Sequence, residues 1–460
     1  MRKQLLVILI CCTVATAYAQ KTVKPLAQLQ QEFVDLRFGM FIHFNIPTFM
    51  DDDWADPDAS PKIFNPIKLD CGQWARTAKA ANMTYGCLTT KHHSGFCIWD
   101  TKTTEYSVNN SPFKRDVVRE YADAFRKEGL EVMLYFSILD THHKIRPGHI
   151  TPQHVEMIKN QLTELLTNYG DINALIIDGW DAPWSRISYD DIPFEDIYYL
   201  IKSLQPNCLV MDLNAAKYPA ELLYYTDIKS YEQGAGQHIS KEKNQLPALS
   251  CLPINTAWFW KPDFPTTPVK SPKFIVNENI VPFNEAYCNF ILNAAPNRDG
   301  LIDDNAVEAF RSVGKMWKNA GAVKKLPAAD APVISSNIAK GKPTNSSWSN
   351  DMQIMDFAND DDFSSGWDSN RAVKQPWLEI ELGKAEQPIN LVTITQAHIK
   401  KYRLEYFQNN VWHTIYSGVN DKSHIIIHRF ERVWASKIRI VIDEFSAPPV
   451  IGEFGVYNER

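Results

Sequence analysis

No block of like charge interrupts the 460 residues, because 48 Lys and Arg stand against 54 Asp and Glu, for a formal charge of −6 spread along the chain. That balance excludes the basic surface a nucleic-acid protein carries, so nucleic acid is not an expected partner. Beyond the N-terminus no apolar run approaches the roughly 20 residues of a membrane span, which excludes a membrane-embedded protein. Neither a Cys-x-x-Cys pair nor a Cys/His ligand spacing occurs among the eight cysteines, which argues against a structural zinc site. Internal repeats and low-complexity tracts are also missing, which leaves a large globular chain of more than one domain.

Aromatic residues, in contrast, are plentiful at 12%, with 13 Trp, a composition that suits ring stacking on the apolar faces of ligands such as sugars but equally a large core. Arg2 and Lys3 precede an apolar run from Leu5 to Ala15 and then Ala17-Tyr18-Ala19, the pattern of a signal peptide spanning 1–19. Its removal takes two positive charges, and the mature charge becomes 46 − 54 = −8. Export is therefore expected, to the periplasm of a bacterium, with extracellular or lysosomal delivery as the alternatives. Six cysteines then remain (Cys71, Cys87, Cys97, Cys208, Cys251 and Cys288), scattered in a way that suits disulfides and buried thiols equally.

Between Phe38 and Asn293 short apolar runs alternate with helical spacing, as parallel strands joined by crossover helices do. Strands are expected at Phe38–Phe44, Thr84–Thr90, Val132–Ser137, Ala174–Asp178, Leu209–Leu213, Tyr224–Tyr231, Thr256–Phe259 and Phe290–Asn293. Eight such units make an α/β fold, a (β/α)8 TIM-like barrel spanning 20–322. A proline- and alanine-rich linker covers 323–334, and from 335 to 460 alternation with turn residues predicts an all-β sandwich.

Active sites of such barrels lie where strands end, so polar residues that terminate apolar runs are the candidates. His43, the pair His92 and His93, Asp178 and Glu232 fit. Asp178 closes the run Leu175-Ile176-Ile177, and Gly179 lets the chain turn away from the carboxylate. Hydrolysis of a glycoside with retention requires two carboxyl groups, one to attack the anomeric carbon and one to protonate the leaving oxygen. Glu232 is the favoured partner of Asp178, with Asp227, Glu221 and Glu278 as rivals.

The first domain resembles the α-L-fucosidases of glycoside hydrolase family 29. The likeness is carried by Phe38-Gly39-Met40-Phe41-Ile42-His43-Phe44, Lys91-His92-His93-Ser94-Gly95-Phe96, Ile177-Asp178-Gly179, and Leu292-Asn293-Ala294-Ala295-Pro296 with Asp299-Gly300. It implies a retaining exo-hydrolase of terminal α-L-fucose acting on a fucosylated oligosaccharide or glycoconjugate, with Asp178 as nucleophile and no metal or organic cofactor. It further implies that His43, His92, His93 and Trp54 hold the sugar, with Tyr135 as a further contact and Asp53 where relatives carry a contacting Glu. Trp258 or Phe290 is expected to meet the C5 methyl. Two departures stand out: Ile176 replaces a Trp common before the nucleophile, and the acid/base position varies within the family, so Glu232 rests on its location alone. An exo-hydrolase of a related sugar such as α-L-galactose, or a catalytically silent glycan-binding protein, are the alternatives.

The C-terminal region resembles the galactose-binding-like sandwich of discoidin modules and carbohydrate-binding module family 32, through Asn337-Ile338-Ala339, Gly341-Lys342-Pro343, Trp367-Asp368-Ser369-Asn370, Trp377 to Gly383, and Ile451-Gly452-Glu453-Phe454. Trp367 and Trp377 read as framework rather than sugar platforms. Asp360-Asp361-Asp362 reads as a solvated acidic loop in preference to a calcium site.

Overall fold

The structure, a computed structural model, describes residues 22–321, 324–351, 354–421 and 424–460. The signal segment 1–19, and residue 323 where the linker is expected to begin, lie outside the described residues. The first domain contains β1 (Phe38–Ile42), β2 (Tyr85–Lys91), β3 (Glu131–Ser137), β4 (Ala174–Asp178), β5 (Leu209–Asp212), β6 (Lys229–Glu232), β7 (Ala248–Pro253) and β8 (Cys288–Ala294). All the paired neighbours run parallel, in the order β5-β4-β3-β2-β1-β8-β7-β6. Around them lie α1 (Leu26–Leu36), α2 (Cys71–Ala80), α3 (Val117–Lys127), α4 (Pro152–Asn168), α5 (Phe194–Leu204), α6 (Pro272–Phe274), α7 (Val281–Glu285) and α8 (Asp304–Met316). Asp116 caps α3 through the Arg119 amide (2.8 Å), and Thr151 and His154 form a reciprocal cap on α4.

Strand periodicity sorts the side chains into two apolar sets. Phe41, Cys87, Met133, Ile176, Met211 and Ile291 fill the barrel interior, whose lower end is plugged by Leu29 and Phe33 of α1. Met40, Leu88, Leu134, Ile177, Phe290 and Leu292 face outward into the layer beneath the helices. This parity corrects one expectation. Phe290 stacks on Phe38 at 5.9 Å in the outer layer and cannot meet a ligand at the mouth.

Two expected strands are displaced. Thr256–Phe259 is a loop across the mouth, and the seventh strand is the fully buried Ala248–Pro253. Its proline is the last residue of the strand, where a missing donor costs the ladder nothing. The sixth strand is only Lys229–Glu232, because the seam between β5 and β6 is closed by side chains together with a backbone hydrogen bond rather than by a ladder. The Asp227 amide donates to the Val210 carbonyl (2.8 Å), the Val210 amide to Asp227 Oδ2 (2.9 Å) and the Asp212 amide to Thr226 Oγ1 (3.2 Å).

The second domain comprises β9 (Thr344–Ser346), β10 (Trp367–Asp368), β11 (Trp377–Glu381), β12 (Gln387–Gln408), β13 (Val411–Val419), β14 (Ile425–Ala435) and β15 (Lys437–Tyr457), all paired antiparallel. The long β12 and β15 pair along most of their length, with bulges between Thr395 and Tyr402 that let one hydrogen-bonded network supply both layers. Trp367 is fully buried in the core, together with Ile394, Ile440 and Phe454.

The two domains share an apolar seam. Leu391, Ile425 and Tyr457 join the outer cluster of the barrel, and Phe363 packs edge-on against Tyr218 (5.5 Å) and Tyr224 (5.7 Å). The end of the linker is fastened too, since Val333 exchanges backbone hydrogen bonds with Leu223 (2.9 Å) and Tyr225 (2.8 Å). Arg460 pairs with Glu195 and Asp196 of α5. No helix among the described residues is long and apolar enough to cross a membrane. The six described cysteines are all buried and unpaired.

Candidate active site

Inward parity carries past the strand ends, so the residues in step with Phe41, Met133, Ile176 and Ile228 converge on the barrel mouth. These are His43, Tyr135, Asp178 and Glu232. Asp178 is nearly buried and both of its oxygens are held. Tyr135 Oη donates to Oδ2 (2.6 Å) and Asn214 Nδ2 donates to Oδ1 (2.8 Å). Burial, then the negative charge of Asp178, push the Tyr135 phenol well above its ordinary range, so it serves as a neutral donor. Gly179 has φ 111°, and a Cβ there would come within 3.0 Å of the Leu139 amide nitrogen, so the turn that exposes Asp178 needs glycine.

Asn214 is itself fixed, because its amide donates to Asp212 Oδ1 (2.9 Å) while Tyr189 Oη holds Oδ2 of the same carboxyl (2.6 Å). Burial raises Asp212 to about 7. Replacing Asn214 with Ala removes one of the two donors that orient Asp178. Steady-state kinetics should then show kcat reduced about tenfold or more with KM little changed, as expected when a hydrogen bond to a charged group is lost.

Glu232 ends β6, and its Oε1 accepts from Trp258 Nε1 (3.2 Å). Burial, then the negative charge of Asp178, raise its carboxyl to about 7, against a small opposing effect from the Trp258 hydrogen bond. The three rivals are placed elsewhere. Asp227 is buried in the seam, accepting from Tyr198, Lys202 and Val210. Glu221 is exposed and faces His424 of the second domain (3.3 Å). Glu278 is exposed on the π-helical turn Ile275–Ile280, between α6 and α7.

The three histidines are buried and neutral, since burial lowers His43 to about 3, His93 to about 4 and His92 well below its ordinary value. Their tautomers follow from the hydrogen-bond network. Asn293 Nδ2 donates to the Trp258 carbonyl (2.7 Å), so its Oδ1 accepts from His43 Nδ1 (2.8 Å). Ser137 gives its proton to the Leu139 carbonyl (2.8 Å) and accepts from His93 Nδ1 (2.8 Å). Both Nε2 atoms are left as acceptors, that of His93 being 3.8 Å from Asp178 Oδ2. His92 Nδ1 is buried without a partner among the described residues.

Aromatic rings wall the site. Trp54, about half exposed, stacks on His93 at 4.8 Å, and Trp184 lies 4.3 Å from His93 and edge-on to Trp54 at 5.3 Å. On the other side Trp258 lies over His43 at 4.8 Å, while the buried Phe259 meets His43 and His92 edge-on at 5.2 and 4.9 Å. Asp53 turns its carboxylate to the Trp258 and Phe259 amides (3.1 and 3.2 Å) and to Lys261 (3.0 Å), which makes it the clamp of this loop. Asn214, Trp184, Phe259 and Asn293 all shape the site without having been singled out as its residues in the sequence. Three of them sit on loops, where periodicity carries no signal. Asn293 continues the inward parity of Ile291 and could have been found that way. Among the described residues no three His, Cys, Asp or Glu side chains are grouped to hold a metal ion.

Comparison with known proteins agrees with this fold. An alpha-L-fucosidase family model matches residues 52–322 and an F5/8 type C domain model matches 338–451. Alpha-L-fucosidase 1 of Arabidopsis thaliana is 28% identical over 459 residues, covering 92% of this chain and 85% of its own. The solved structure of alpha-L-fucosidase isoenzyme 1 from Paenibacillus thiaminolyticus is 25% identical with a TM-score of 0.55, covering 92% of this chain and all of the other. A Ruminococcus gnavus GH29 fucosidase in complex with fucose shares the fold at 20% identity and a TM-score of 0.50, over 94% of each chain. A near-closed parallel barrel with carboxyls at the ends of β4 and β6, matched over most of its length by one family, is a glycoside hydrolase, and this chain belongs to the α-L-fucosidases of glycoside hydrolase family 29.

Proposed function

We propose that the protein is a retaining exo-α-L-fucosidase in which Asp178 is the nucleophile and Glu232 the acid/base. The observation that carries this reading is the contrast between the two carboxyl groups. Asp178 accepts from two oriented donors, whereas Glu232 sits in an environment that keeps its proton up to about pH 7. Such a pair divides the labour of retaining hydrolysis. An Asp178 oxygen attacks C1 as the bond to the leaving oxygen breaks and Glu232 gives that oxygen its proton. The ionised Glu232 then takes a proton from water, whose oxygen attacks C1 and releases Asp178 and α-L-fucose.

The neutral imidazoles support the same reading. With Nε2 of His43 and His93 as acceptors, they receive sugar hydroxyls by directional hydrogen bonds and put no positive charge beside an oxocarbenium-like transition state. His92, Trp54, Tyr135 and Trp258 complete the proposed sugar site, and Asp53 acts on it through the loop it clamps. The fucosylated glycan or glycoconjugate is met outside the cytoplasm, after export directed by the N-terminal segment, to the periplasm on this reading. Proton NMR of the hydrolysis of an aryl α-L-fucoside tests the mechanism: α-L-fucose should appear first, followed by slow mutarotation. Initial β-fucose would contradict retention.

A further inference from the structure

Beside the sugar site the molecule has a second recess, a groove of about 470 Å³ bounded by Trp54, Trp184, Leu139, Arg146, His149 and Arg186. It begins where the proposed fucose site ends, since Trp54 and Trp184 both lie against His93, which in turn lies beside Asp178. Two tryptophans about half exposed to solvent and set edge to face are costly to leave in water and are flat enough to carry a sugar ring.

The charges of the groove are one-sided. Arg146 and Arg186 are exposed, and neither guanidinium has a hydrogen-bond or ion-pair partner among the described residues. No carboxylate lines the groove. The nearby acidic loop is partly neutralised elsewhere, with Asp51 on Arg298 (2.6 Å) and Asp53 on Lys261 (3.0 Å). In a chain of net charge −6, two free guanidiniums beside two open indoles form a local site suited to a planar or tetrahedral oxyanion.

We propose that this groove is the leaving-group subsite of the enzyme and that it recognises an acceptor sugar carrying an anionic group, a carboxylate or a sulfate ester, next to the fucose. The sugar ring rests on Trp54 and Trp184 while Arg146 and Arg186 hold the anion. This subsite rests on the fucosidase reading given above and adds a substrate class to it.

The test uses the full chain and four substrates: an aryl α-L-fucoside, a neutral fucosylated trisaccharide, and the same trisaccharide bearing either sialic acid or a sulfate ester on the acceptor sugar. Wild-type kcat/KM should favour one of the charged trisaccharides over the neutral one by roughly tenfold at low ionic strength, and the preference should shrink as salt is added. The favoured anion identifies the source. In the double variant Arg146→Gln/Arg186→Gln the ratio of charged to neutral kcat/KM should fall to about one, and using a ratio cancels any general loss of activity. Equal rates on neutral and charged trisaccharides, with the aryl fucoside still cleaved, would overturn the subsite and leave the fucosidase reading intact. A preference that survives in the double variant would overturn it as well. Absence of turnover on the aryl fucoside itself would remove the fucosidase reading and the subsite with it.

Discussion

Asp178→Ala should retain no more than about one part in 10⁴ of the wild-type kcat on an aryl α-L-fucoside, a loss of the size seen when a residue that forms the covalent intermediate is removed. The substitution leaves Tyr135 Oη and Asn214 Nδ2 pointing into a space the size of a carboxylate. A small anion can occupy that space. Added azide should therefore restore turnover, attacking C1 from the side Asp178 occupied and giving β-L-fucosyl azide, which thin-layer chromatography and NMR identify. Restoration with inverted configuration separates a lost nucleophile from a misfolded protein. Residual activity above a tenth of wild type, without azide, would remove Asp178 from the role.

Glu232→Ala should show a loss that depends on the leaving group. With a glycan, whose alcohol departs poorly without a proton, kcat/KM should fall by about 10²–10⁴. With 2,4-dinitrophenyl α-L-fucoside the first step needs no acid, so kcat/KM should stay near wild type while kcat falls and a burst of phenol appears, because water then lacks its base. The pH profile gives an independent reading. The Glu232 carboxyl is raised to about 7, so the proton is present below that pH, and wild-type kcat/KM on a glycan should decline as pH rises through about 7. Glu232→Gln should lack this limb. An equal loss on both substrates, or the same leaving-group pattern in Glu278→Ala, would reassign the acid/base.

Much of the site was legible because strands of a parallel barrel are buried on both faces. They read as apolar runs, and the first polar residue after such a run stands at the mouth, which is how His43 and Asp178 came into view. Legibility failed where the backbone does not follow that rule. The β5 to β6 seam is bridged by Thr226 and Asp227 side chains, so Tyr224–Ile228 has strand composition without a ladder to β5, and Tyr224 bridges to Val333 instead. The Trp258-Phe259-Trp260 run imitates a strand because its aromatic rings cover the site, held there by Asp53. In the second domain β13 is mostly exposed, and the bulges in β12 shift the period, so one long strand reads as two short ones. Asn214 and Trp184 left no trace, because what they do depends on where loops are carried by the barrel beneath them.

The seam of Phe363, Tyr218, Tyr224 and Tyr457 changes what the division into two domains means. Along the chain the sandwich is a separate unit, its family match at 338–451 standing apart from that of the barrel at 52–322. In the folded molecule it covers tyrosines on the loops after β5, and through Tyr189, stacked on Tyr225 at 3.8 Å and bonded to Asp212, those loops reach the group that orients Asn214. A shortened chain ending at the linker would therefore expose an apolar patch and loosen the support behind its own nucleophile.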